Sequence, residues 1–167
     1  MRLTKSISAF ITASLISTFS FAATEIYSSP WGNNTEGASV AYTPDYSDTP
    51  LLIIGEVTHS SVGEQRVYFA LAYLEDSKIC TYENEYADDE TFIFSGQAVK
   101  MLRWCRKSSD EQYYYQYTPE TNRGHSYVIN LFKKATTPIT IKIDGETVSF
   151  PVRGFTKVWN SAGGDAI

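Results

Sequence analysis

The sequence predicts a mainly β fold: an antiparallel β-sandwich or curled barrel with one or two short helices near the C-terminus. Three observations carry that expectation. Arg66–Leu74 alternates, with Val67, Phe69, Leu71 and Tyr73 on one face against Tyr68, Ala70 and Ala72 on the other, which is the two-residue period of a strand. Ile139–Ile143 and Thr147–Phe150 flank Asp144-Gly145, the strongest short-range hairpin signal in the chain. Aromatic residues make up 14% of the sequence, a composition that favours strands. A length of 167 residues with 43% hydrophobic and 20% charged residues fits one globular domain and excludes a disordered chain.

The elements follow in order. Residues 1–22 read as a secretory signal peptide: Arg2 and Lys5 give a basic start, Ile7–Phe21 an apolar core, and Ser20-Phe21-Ala22 a small-residue cleavage site before Ala23. The core is too short and too rich in Ser and Thr to span a bilayer. Residues 23–167 then form the single domain. Ala23–Pro50 is turn-rich and holds one or two short strands, one around Ala38–Tyr42. Leu51–Val57 is an apolar run bounded by Pro50 and by His59-Ser60-Ser61, suited to a buried strand that pairs with Arg66–Leu74.

Lys78–Tyr82 reads as a short strand carrying Cys80, and Glu83–Glu90 as an acidic loop. Thr91–Phe94 and Val99–Cys105 flank Ser95-Gly96-Gln97-Ala98 as a hairpin, although Ala98, Met101, Leu102 and Cys105 also fit a helical face. Tyr113–Tyr117 is a strand closed by Thr118-Pro119. Val128, Leu131, Phe132 and Ala135 fall at helical spacing behind Ser126 as N-cap, in competition with a strand through Tyr127, Ile129 and Leu131. Phe155, Val158, Trp159 and Ala162 form a last helical stripe before Gly163-Gly164.

Two cysteines are present, Cys80 and Cys105, and in an exported chain an even count reads as a disulfide. Closing that 25-residue separation stabilises by about 3–4 kcal/mol on the loop-entropy account. A catalytic cysteine paired with His59 or His125 is the sharper alternative, and no local signature supports it. Neither histidine has a second one near it, no HExxH pair occurs and no GxSxG elbow is present. The expectation is therefore a protein without catalysis, cofactor or metal.

Charge directs the functional reading. The formal net charge is −5, and loss of residues 1–22 removes Arg2 and Lys5 but no acid, leaving 12 basic against 19 acidic groups, net −7. That balance argues against nucleic acid as a partner. Glu83, Glu85, Asp88, Asp89 and Glu90 concentrate five carboxylates around Tyr86, without the glycine and glutamate order of an EF-hand loop. As a solvated loop the segment keeps the protein soluble. As a functional element it is an electrostatic plug for a basic cleft, with tyrosine as anchor. Lys100, Arg103, Arg106 and Lys107 around Trp104 either bind an anionic ligand or pair with the acidic segment. Tyr113, Tyr115 and Tyr117 read as alternating strand residues or as a sugar platform.

The closing stretch Val148-Ser149-Phe150-Pro151-Val152-Arg153-Gly154-Phe155-Thr156-Lys157-Val158-Trp159-Asn160, an apolar strand running into Gly-Phe-Thr and a short helix, resembles the end of secreted proteins of the invasion-associated locus B family. The resemblance covers about forty residues and implies a small exported bacterial β-sandwich without known catalysis. It carries over no functional residue. Taken together, these readings point to a periplasmic or secreted non-catalytic binding protein. Its most concrete form is an inhibitor or immunity protein that plugs a cell-wall-directed toxin or hydrolase with Glu83, Glu85, Tyr86, Asp88, Asp89 and Glu90. The alternative is an envelope carbohydrate- or ligand-binding protein that uses Trp104 or the tyrosine strand.

Overall fold

A computed structural model describes residues 23–32, 37–74, 79–81 and 88–162. It is mainly β: strands β1 (Thr24–Ser29), β2 (Ala38–Thr43), β3 (Leu51–His59), β4 (Gln65–Tyr73), β5 (Asp88–Phe94), β6 (Gln97–Lys107), β7 (Tyr113–Pro119), β8 (Ile139–Ile143) and β9 (Glu146–Phe150), with helices α1 (Asn122–Lys134) and α2 (Phe155–Ala162). All nine strands join one antiparallel sheet in the order β1-β2-β3-β4-β7-β6-β5-β8-β9. The sheet curls until β9 packs against β2 and β1, so of the two expected architectures the curled barrel is the one adopted. Among the described residues no strand ladder closes the seam. It is held instead by Asp45 N donating to Glu146 Oε1 (3.1 Å), Trp31 N to Arg153 O (3.1 Å) and Trp31 Nε1 to Pro151 O (2.9 Å).

The paired hairpins follow from local chemistry. Ser95-Gly96 (φ 47° and 89°) and Asp144-Gly145 (φ 50° and 88°) are two-residue turns with both residues in the left-handed region, the geometry that matches strand twist. Alternation then sets the register: Phe92 and Phe94 on β5, Val99 and Met101 on β6, Val67 and Phe69 on β4 and Ile141 and Phe150 on the last hairpin all turn inward. This rules out a helix over Ala98–Cys105.

The two helices close one end of the barrel. Tyr127 Oη donates to Phe94 O (3.0 Å), and Gln65 Nε2 at the start of β4 donates to Trp159 O. Phe132 from α1 and Phe155 from α2 meet Trp31 and Phe150 in one aromatic cluster. The chain passes Trp31 so closely at Gly154 (φ 94°) that a Cβ there would collide with the Trp31 carbonyl oxygen.

Five sequence expectations are corrected. The helix begins at Asn122, four residues before Ser126, because Thr121 Oγ1 accepts from Gly124 N (3.0 Å) and caps it there. His125 therefore lies within α1. Ile79 and Cys80 form bends and Thr81 irregular chain, not a strand, and Lys78 and Tyr82 lie outside the described residues. His59 is the last residue of β3, paired with Gln65, and Pro119 is the last residue of β7. Asp88, Asp89 and Glu90 open strand β5 rather than ending a loop, since Arg103, Leu102 and Met101 pair with them across the sheet. The disulfide forms as expected, Cys80 to Cys105 with Cα atoms 5.9 Å apart. A disulfide points to a compartment outside the cytoplasm. No helix among the described residues is long and apolar enough to cross a membrane.

Candidate functional site at the open end of the barrel

The end opposite the helices is open, and strand alternation decides what it presents. Here β5 contributes Glu90, β8 Ile143, β6 Arg103, β7 Tyr115 and Tyr117, β4 Leu71 and Tyr73, and β3 Leu51. These side chains, with Tyr46 and Asp144 from two turns and Ile79 from the disulfide-tethered segment, enclose a cavity of about 290 Å³. Four tyrosines, Glu90, Arg103 and Asp144 give it a largely polar, aromatic lining with convergent charged groups that can orient a ligand.

The same alternation splits the acidic triplet. Glu90 lines the cavity and the exposed Asp88 lies on the same face of β5; both hold Arg103, Nη2 to Asp88 Oδ2 at 3.3 Å and Nη1 to Glu90 Oε2 at 3.1 Å. Asp89 turns outward and pairs with Lys100 at 2.8 Å, while Glu120 lies 3.1 Å from the same ammonium. So the described part of the expected plug is paired with the basic patch, the arrangement the sequence offered as an alternative. Glu83, Glu85 and Tyr86 lie outside the described residues.

Arg103 also lies 4.9 Å from the Tyr115 ring centre, and its Nε is buried without a hydrogen-bond partner. Burial alone would lower its pKa; the bond to Asp88 and the fields of Tyr117, Tyr115 and Glu90 override that, and the guanidinium stays charged. On the facing wall, the β8–β9 hairpin carries Asp144 and the buried Glu146, neither of which forms an ion pair among the described residues. The phenols register this charge. The Tyr46 pKa is raised by burial and then by Asp144 and Glu146, and Tyr42 is raised by burial, Tyr46, Glu146 and Asp144. Glu90 and Asp144 thus line the same cavity as Arg103, Asp88 pairs with Arg103, and the buried Glu146 acts on Tyr46 and Tyr42. Tyr46, Tyr73, Asp144 and Glu146 are not singled out as site residues from the sequence, where Tyr73 reads as an alternating strand residue and Asp144 as a turn residue.

The histidines sit elsewhere. His59 borders the outer face of the sheet. His125 is half-buried against Trp159, ring centres 6.0 Å apart, and its Nε2 is buried without a partner. Burial lowers its pKa first and Arg66 second, with Glu64 acting the other way. The unfolded chain therefore holds that proton more tightly. The stability His125 contributes is complete above its unfolded value of about 6.5 and drains as pH falls through and below it. Urea unfolding at pH 7.5 and 5 should show a loss of stability on acidification that is smaller in His125→Gln; equal losses in both proteins would refute the assignment.

No protein-family model, curated protein or solved structure matches the chain.

Proposed function

We propose that the chain is an exported, non-catalytic binding protein whose acidic, tyrosine-lined mouth captures basic groups of a partner protein. Its concrete form is an inhibitor or immunity protein for a cell-wall-directed toxin or hydrolase. The observation that carries this reading is the gathering of Glu90 and Asp144 with Tyr46, Tyr73, Tyr115 and Tyr117 around one open cavity, with Asp88 ion-paired to the cavity's Arg103. Enzymes and toxins that work on the anionic cell wall carry basic surfaces, and complementary charge speeds and orders such encounters. Tyrosine faces accept ammonium and guanidinium groups, adding attraction where water is excluded. Glu83, Glu85 and Tyr86 precede Asp88 in the chain and belong to the same proposal. Asp89 drops to a supporting position, since its charge goes to Lys100 on the outer face.

The test is an affinity capture from envelope extract with the oxidised protein at low and moderate salt. A stoichiometric basic partner is expected, lost as salt rises, and held about tenfold more weakly by the Asp88→Asn, Asp144→Asn double variant. Asparagine keeps the left-handed backbone that residue 144 requires, and thermal unfolding checks that the variant stays folded. Capture that ignores both salt and the double variant would overturn the reading.

A further inference from the structure

The reverse face of the same strands carries a second cavity of opposite character. Between the β3–β4 hairpin and the outer surface of β4, β7 and β6 runs a groove of about 480 Å³. Its apolar wall is Trp104 with Leu102 and Tyr68, all half-buried. Trp104 lies directly across from Gln116 in the β6–β7 ladder. Arg106 donates from Nε to Gln116 Oε1 (3.2 Å), with its guanidinium carbon 5.5 Å from the Trp104 ring centre.

Arg66 forms the floor, nine-tenths buried and fixed by Glu64 (2.9 Å), Thr118 Oγ1 (3.3 Å) and the Pro119 carbonyl. Arg106, by contrast, has no ion pair among the described residues, so both of its terminal nitrogens remain available to a ligand. Both guanidiniums act on the Tyr68 hydroxyl: burial raises its pKa, and Arg66 and Arg106 pull it back against Glu64. Glu64 is paired with Arg66 and Glu120 with Lys100, so Arg106 is the arginine of the groove left without a carboxylate partner among the described residues.

This combination selects a ligand class. A flat apolar wall suits the C–H face of a pyranose ring. Gln116, Glu64 and Glu120 supply planar acceptors and donors for ring hydroxyls, while a free guanidinium takes a carboxylate through two parallel hydrogen bonds. We propose that the outer groove binds an acidic oligosaccharide, its apolar ring face against Trp104, Leu102 and Tyr68 and its carboxylate on Arg106.

The test titrates the oxidised protein, by calorimetry and by tryptophan fluorescence, with tetragalacturonate, with a soluble glycan of alternating N-acetylglucosamine and N-acetylmuramic acid, and with neutral chitotetraose. Saturable binding of either acidic glycan is expected, with chitotetraose at least tenfold weaker. Arg106→Gln, an exposed position, should weaken the acidic glycan about tenfold. Trp104→Phe should remove the fluorescence change, since Trp31 is buried and Trp159 packs on Phe155 at the helical end. Preference between the two acidic probes separates a uronate polymer from cell-wall glycan as the source. Failure to bind either, equal binding of chitotetraose, or undiminished binding by Arg106→Gln would overturn the proposal. Because the residues tested here are separate from those of the mouth, loss of one activity leaves the other intact.

Discussion

Replacing Phe132 by Ala should lower the unfolding free energy by about 3–5 kcal/mol, the range for deleting a fully buried aromatic ring. Phe132 is 1% exposed and touches four rings: Phe155 at 5.0 Å, Trp31 at 5.7 Å, Phe150 at 6.0 Å and Phe69 at 6.1 Å between centroids. The cost depends on whether the neighbours can move into the space left behind, and here they are held. Trp31 is pinned by Pro151 and Arg153 across the seam, and Phe69 and Phe150 are ladder residues of β4 and β9. A cavity should therefore persist, and Phe132→Leu, which fills much of it, should cost less than half as much. Urea unfolding of the three proteins checks this. A loss below about 2 kcal/mol for the alanine variant would mean that the cluster collapses and that α1 is not the rigid stopper described.

Phe132 also marks how far the sequence could be read. Its helix was legible because Val128, Leu131, Phe132 and Ala135 repeat at helical spacing, and the three hairpins were legible because alternation and turn residues are local. The closure was not. That β7 returns to β4 and that β8 joins β5 depends on pairings between distant segments, which no window of sequence records. The site was hidden for the same reason. Arg103 and Trp104 are neighbours in one basic patch, yet the strand period sends one into the acidic mouth and the other into the outer groove. Asp88 and Asp89 part in the same way. Asp144 and Glu146 read only as turn and strand edge, because their place beside the mouth depends on the end of the barrel at which their hairpin arrives.

Removing the disulfide is the second large perturbation, and it separates fold from site. Cys80→Ser with Cys105→Ser should cost about 3.5 kcal/mol, from the conformational freedom returned to an unfolded chain no longer closed across 25 residues. The bond also has a local consequence, because Cys105 stands near the end of β6 at the mouth and Cys80 follows Ile79, which lines the cavity. Without the link, Ile79 loses its tether to the rim, and the acidic residues that follow it in the chain lose a fixed starting point. The double variant should therefore weaken partner capture beyond what its unfolded fraction explains, measured well below its melting temperature with circular dichroism confirming the fold. Stability lost with capture unchanged would make the bond a brace for the barrel alone and would confine the binding surface to Asp88, Glu90 and the β8–β9 hairpin. Loss of both would place the β4–β5 connection, with Glu83, Glu85 and Tyr86, in the surface that meets the partner.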